Sequence, residues 1–182
     1  SGNSTSLYNI TVNKSSGNLI MSTPVTVTGT LTMASGDIVN SQPLTIGTSD
    51  DVTGDLNYTS GAIMGQVKRF FANSTGSKFF PVGIAGIERG VTVNFTSAPG
   101  SNQYLTAEYK TGLPNLSGSD AHYSGLPLTT SDGQLIQNFH EDGYWEINPG
   151  SSSTGDSYTA PINAKAYSIS IHMNDLRDAA GE

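Results

Sequence analysis

The feature that most constrains the fold of this chain is a short internal repeat in its first third. Residues 16–27 read SGNLIMSTPVTV and residues 35–46 read SGDIVNSQPLTI, which align without a gap at an offset of 19 residues. A degraded third copy, SGAIM, occupies residues 60–64. A repeat this short cannot enclose a core of its own, so it must bury its apolar side chains against the next copy. The repeat therefore predicts the stacked coils of a β-solenoid.

Apolar alternation places short strands within each coil. The alternating pairs are Ile10/Val12, Leu19/Met21, Val25/Val27, Leu31/Met33 and Leu44/Ile46. Successive side chains of a strand point to opposite faces, so we expect these residues to face inward and the Thr residues between them outward. The constant phase predicts that Val25 and Leu44 lie on neighbouring strands. An ordinary β-meander is the competing interpretation, although it does not require a constant phase.

The composition agrees with an all-β protein. The 24 Ser and 20 Thr make up about a quarter of the 182 residues, and both are poor helix formers. The net charge is −7 and no basic stripe is present, so we expect no nucleic-acid partner and no membrane insertion. The absence of cysteine excludes disulfides and thiolate metal sites.

From about residue 66 the predicted strands are longer and more aromatic, and clusters of Gly, Pro, Ser and Asn separate them. This pattern predicts an antiparallel β-sandwich over residues 66–182, after a β-solenoid-like segment of about three coils over residues 1–65. The strands are predicted at 67–72, 78–82, 90–97, 103–110, 135–139, 143–147 and 167–173. Their predicted core residues are Phe80, Val82, Val93, Phe95, Trp145, Ile147, Ile169 and Ile171.

The sequence also suggests roles for two arginines and for residues near the end of the chain. Arg69 and Arg89 are interpreted as ordinary charges at strand edges, and residues 175–180 as a short turn of helix.

Several segments resemble the repeats of large secreted, adhesin-like surface proteins of Bacteroidetes. The segments are LYNITVNKSSGNLIM, VTVTGTLTMASGDIV and PLTIG in the repeats, then KFFPVG, ERGVTVNFT and GYWEINP. The resemblance covers about residues 7–172 and implies solenoid-like coils that run into a β-sandwich. It also implies export by the type IX pathway and a location outside the cell. The family supplies no catalytic residues.

Few residues suggest chemistry. The histidines, His122, His140 and His172, lack zinc-ligand spacing, and the cluster His140-Glu141-Asp142 is best explained as a polar turn. We find no catalytic motif, so we predict that the chain is not an enzyme.

Two candidate ligand sites follow from residue type. Asp51 and Asp55 lie in a predicted loop and could bind calcium through their carboxylates, or simply stabilise an Asp-rich turn. No other cofactor is expected. Tyr144 and Trp145 could stack on sugar rings, although a Trp in a sandwich core is the more common outcome.

Three functions remain open at this point. The first is a non-catalytic structural or adhesive module of a bacterial secreted or cell-surface protein, joined to further domains of a longer polypeptide and binding a polysaccharide or host surface ligand. The second is an ancillary carbohydrate-binding module of a secreted enzyme. The third and weakest is a segment of a viral fibre. A line of exposed aromatic side chains on one sheet face would favour the second function.

Overall fold

Three parallel sheets wrap the repeat segment into a β-solenoid in the computed structural model, which describes residues 4–112, 128–129, 135–136, 143–151 and 166–172. The solenoid has about three coils, and each coil contributes one strand to each face. The strands of face one are β1 (Thr5–Leu7), β4 (Val25–Val27) and β7 (Leu44–Ile46). Those of face two are β2 (Ile10–Asn13), β5 (Thr30–Ser35) and β8 (Asp55–Tyr58). Those of face three are β3 (Leu19–Met21), β6 (Ile38–Asn40) and β9 (Ile63–Met64).

The register of the coils confirms the phase of the repeat. Val25 pairs with Leu44 in parallel strands, as the 19-residue offset predicts. On face three, Ile38 pairs with Ile63, an offset of 25. The larger offset arises in the connection between face one and face two. This connection spans residues 28–29 in the second coil and residues 47–54 in the third. This longer connection explains why the third copy follows the second at an offset of 25 residues and not 19.

The Ser-Gly pair of each repeat forms the corner before face three. Gly36 and Gly61 both adopt left-handed backbone conformations there, with φ of 87° and 98°. A Cβ atom on Gly61 would lie 2.2 Å from the carbonyl oxygen of Gly36, so only glycine fits beneath the preceding coil. The next residue in the second coil, Asp37, is buried and accepts hydrogen bonds from the backbone N–H groups of Ala62 and Gly86, each at 2.8 Å.

Face one continues into antiparallel strands and so becomes a six-stranded sheet. β10 (Val67–Phe70) is parallel to β7, and β15 (Gln103–Thr111) pairs antiparallel with β10. β18 (Gly143–Ser151) completes the order β1-β4-β7-β10-β15-β18. A three-stranded antiparallel sheet contains β11 (Gly76–Phe80), β14 (Val91–Phe95) and β19 (Tyr167–Ile171). Two smaller antiparallel pairs are β12 (Gly83–Ile84) with β13 (Ile87–Glu88), and β16 (Leu128–Thr129) with β17 (Leu135–Ile136).

The all-β fold and the change from coils to antiparallel sheets are therefore confirmed. Each of the seven strands predicted after residue 66 overlaps a strand of the structure.

The chain forms two compact units. One comprises Ser1–Tyr109 and Trp145–Asp175, and the other Lys110–Tyr144 and Leu176–Glu182. The division at residue 65 stays a prediction. The helical turn at 175–180 lies outside the described residues.

The predicted core is correct for most of its members. Phe80, Val82, Val93 and Phe95 are at most 1% exposed, and Trp145 and Ile147 are partly buried against the same cluster. The prediction is wrong for Ile169 and Ile171, which are 42% and 43% exposed. They lie on β19, an edge strand that among the described strands pairs with β14 alone.

Candidate functional site

A groove of about 520 Å³ lies on the outer surface of the six-stranded sheet. Its floor contains Thr45 on β7, Lys68 on β10 and Thr106 on β15, which are partners across the sheet. Thr45 faces outward because its neighbours Leu44 and Ile46 are fully buried inside the solenoid. The other lining residues are Pro24, Pro43, Gln66, Tyr104, Asn148 and Pro149.

A cation–π contact fixes the centre of the groove. The Lys68 ammonium nitrogen lies 3.6 Å from the centroid of the Tyr104 ring and 5.5 Å from that of Phe70. The two rings also contact each other, with centroids 5.3 Å apart. Tyr104 is only 2% exposed, so its ring supports Lys68 rather than offering a free stacking surface.

The groove offers side chains, and not backbone, to a ligand. β7 and β10 each pair with a strand on both sides, so their backbone N–H and C=O groups are already hydrogen-bonded within the sheet. The Thr106 hydroxyl donates to the Asn148 carbonyl at 3.3 Å. A smaller adjoining cavity of about 210 Å³ shares Pro43 and Gln66 with the groove and is also lined by Glu108. A ligand here would meet hydroxyl, amide and ammonium groups between proline rings.

The residues proposed for sugar stacking lie elsewhere. Trp145 is partly buried, its indole Nε1 donates to the Arg89 carbonyl at 2.5 Å, and its ring packs edge-to-face on Tyr109 at 5.1 Å. Tyr144 is half-buried. These contacts favour the alternative role of Trp145 as a core residue, and sugar stacking by the pair stays a prediction.

The two aspartates of the calcium prediction have different surroundings. Asp51 is exposed between β7 and β8, whereas Asp55 is the first residue of β8 and not part of the loop. Near Asp55, the Lys78 ammonium donates to the Thr53 hydroxyl at 3.2 Å and to the Gly54 carbonyl at 3.3 Å. Burial, then the charge of Arg69, lowers the pKa of Lys78, and the charge of Asp55 acts in the opposite direction.

This positive charge opposes a bound cation. Within the described ranges, no three His, Asp or Glu side chains come together as metal ligands would. Calcium at Asp51 and Asp55 stays a prediction.

Both arginines are buried, so their interpretation as ordinary strand-edge charges is wrong. Arg69 pairs with Ile46 across the sheet and is 4% exposed, because residue 69 continues the inward row of the coils. Its Nη1 donates to the Phe79 carbonyl at 2.6 Å. Burial lowers the pKa of Arg69 to about 10, and the charge of Asp55 acts against this shift. Arg89 is 3% exposed, and its backbone N–H donates to the Val82 carbonyl.

His172 makes a structural contact. Its Nδ1 lies 3.3 Å from a carboxylate oxygen of Glu88, and its ring stacks on Phe79 with centroids 5.0 Å apart. His122 and the cluster His140-Glu141-Asp142 lie outside the described residues.

Comparison with known proteins identifies no relative: no family model, curated protein or solved structure matches this chain. No helix long and apolar enough to cross a membrane occurs in the part of the chain that the structure describes.

The sequence did not single out the groove residues. Alternation places Thr45 and Lys68 on the outer face. It does not reveal that β15, far along the chain, brings Thr106 beside them.

Proposed function

We propose that this chain is a non-catalytic structural and adhesive module of a bacterial secreted or cell-surface protein, where it adjoins further domains of a longer polypeptide. The observation that carries this proposal is the six-stranded sheet, which continues from the coils into the antiparallel strands without a break. Its five steps at about 4.8 Å give a wall about 24 Å wide. A continuous hydrogen-bonded wall with small polar residues outside suits a surface for attachment.

The row of partners along this wall supports the proposal. Ser6, Thr26, Thr45, Lys68 and Thr106 follow one another across five strands. The opposite side of the same strands is apolar and fully buried at Val27, Leu44 and Ile46. The resemblance of the repeats to adhesin-like surface proteins of Bacteroidetes points in the same direction and suggests the extracellular location and the type IX route.

The alternative is an ancillary carbohydrate-binding module of a secreted enzyme. The groove supports it, because hydroxyl and amide side chains between proline rings suit a sugar. A line of exposed aromatic rings would support it further. Among the described residues, the largely exposed aromatic side chains are Tyr8 and Tyr167, which lie in different parts of the fold and form no line. This observation favours the adhesive module.

An adhesion assay tests the proposal. Beads coated with the purified chain are washed over immobilised polysaccharides and extracellular host proteins. The matched variants are Thr45→Arg, which fills the groove, and Thr32→Arg, the same change at an outward position of β5 on face two. We expect retention on at least one surface, loss of retention with Thr45→Arg and no loss with Thr32→Arg.

Four results would count against the proposal. Retention on no surface, or equal retention by both variants, would contradict adhesion through this groove. Retention on polysaccharide alone, blocked by the same soluble polysaccharide, would favour the carbohydrate-binding module. Turnover of a polysaccharide that one point substitution abolishes would show an enzyme instead.

A further inference from the structure

β19, the last described strand, lies at the edge of its sheet and carries a row of apolar side chains. All five residues of β19 pair with β14, and β14 is its only partner among the described strands. Tyr167, Ile169 and Ile171 are 50%, 42% and 43% exposed. Their partners on β14 are Phe95, Val93 and Val91, which are at most 1% exposed.

The opposite edge strand of the same sheet, β11, contacts neighbouring segments through its side chains. On β11, the Lys78 ammonium donates to Thr53 and Gly54, and the Phe79 ring packs edge-to-face on Tyr58 at 5.1 Å. Natural sheets protect open edges with charged residues, prolines or bulges. The sequence of β19, YSISI, contains neither charge nor proline, and its pairing with β14 has no bulge. Within the part of the chain that the structure describes, β19 is therefore an edge able to pair with another strand.

We propose that this edge binds a second copy of the chain, through antiparallel pairing of β19 with the β19 of that copy across a two-fold axis. One self-complementary register pairs all five residues of both strands. With Ile169 opposite the partner's Ile169, Tyr167 lies opposite the partner's Ile171, and Ser168 lies opposite the partner's Ser170. All apolar side chains then share one face, and all serines share the other.

This pairing gives a closed dimer whose two copies associate weakly. Because β19 pairs with its own counterpart across a two-fold axis, the two copies satisfy each other and form a dimer, not a fibre. Five residues per strand bury far less than the roughly 1,600 Å² of a standard interface, so we expect association that depends on concentration. The inference does not depend on the adhesive function, because β19 is not part of the groove.

Cysteine cross-linking tests the register directly, since the chain contains no cysteine. In the proposed dimer the two Ile169 residues are directly opposite, within disulfide range, so Ile169→Cys should form a cross-linked dimer under mild oxidation. Ser168→Cys is the matched control on the same strand. Its two copies would be about 8 Å apart between Cα atoms, which is beyond disulfide reach, so it should stay monomeric.

Light scattering over a range of concentrations tests the association itself. The mass of the unmodified chain should rise from 19.0 kDa toward twice that value. Ile169→Lys should stay monomeric, while Ile20→Lys, at a 74% exposed apolar site on β3, should associate normally. A monomer at every concentration, equal cross-linking of both cysteine variants, or a mass well above the dimer would overturn the proposal. If Ile169→Lys fails to fold, the difference in cross-linking between Ile169→Cys and Ser168→Cys tests the proposal instead.

Discussion

Replacing Asp37 with alanine should destabilise the fold by about 3–4 kcal/mol, because one buried carboxylate accepts two backbone hydrogen bonds. A hydrogen bond to a charged group contributes about 1.5–3 kcal/mol when its partner is buried. Ala62 is buried, so its N–H would lose its acceptor without gaining water, at about 2–3 kcal/mol. Gly86 is exposed, so water can replace the carboxylate there and the loss is about 1 kcal/mol.

The substitution Asp37→Asn should cost about half as much, since the amide keeps one acceptor oxygen. For a chain of this length, the alanine variant should melt about 6–16 °C lower. Urea unfolding gives the free energies, and amide hydrogen exchange reports on Ala62 directly. Asp51→Ala, at an exposed aspartate, is the control. Equal unfolding midpoints for Asp37→Ala and Asp51→Ala, or unchanged exchange at Ala62, would refute this reasoning.

Four other substitutions or conditions give distinct results. Leu44→Ala should lower the free energy of unfolding by about 2–5 kcal/mol in urea, because the side chain is fully buried between coils; a loss below about 1 kcal/mol would contradict the packing. Gly61→Ala should lower the melting temperature more than Gly17→Ala, since a Cβ at Gly17 meets nothing within 4 Å; equal losses would contradict the tight corner. Burial, then the charges of two carboxylates, raises the pKa of Tyr58 to about 12. Phenolate absorbance should therefore show one late-titrating tyrosine that is absent in Tyr58→Phe. The stability due to this raised pKa is present below pH 10 and is lost as the pH rises toward 12. If the predicted calcium site exists, calcium should raise the melting temperature of the unmodified chain but not of Asp51→Asn, and no shift in either would remove the site.

The coils could be predicted because their determinants are local. The alternation of Val25 with Val27 and of Leu44 with Ile46 specifies which side of each strand is buried, and the offset between the copies specifies the register. The Ser-Gly pair recurs in phase with the strands, and in the structure it lies at the corner where Gly36 has a left-handed backbone. Because the same alternation recurs at a fixed offset in a repeat, it is easily distinguished from alternation that arises by chance.

The rest depends on contacts between residues far apart in sequence. Arg69 occupies an inward position of the alternation, but its charge suggested exposure. Only the structure reveals that its Nη1 donates to the Phe79 carbonyl. Ile169 alternates correctly, yet alternation does not reveal whether a strand lies at an edge. The groove escaped prediction for the same reason, because Lys68 and Thr106 meet through an antiparallel pairing across a long connection.

The connection at residues 47–54 shows where this scaffold accepts added sequence. It is six residues longer than its counterpart at 28–29, and yet β5 and β8 remain paired from Thr30 with Asp55 to Met33 with Tyr58. The Thr48 N–H and the Ser49 N–H both bond to the Val52 carbonyl, so the excursion folds on itself and returns to the coil. A foreign peptide grafted between Ser49 and Val52 would be displayed at the edge of the stack, while β5 and β8 keep their register.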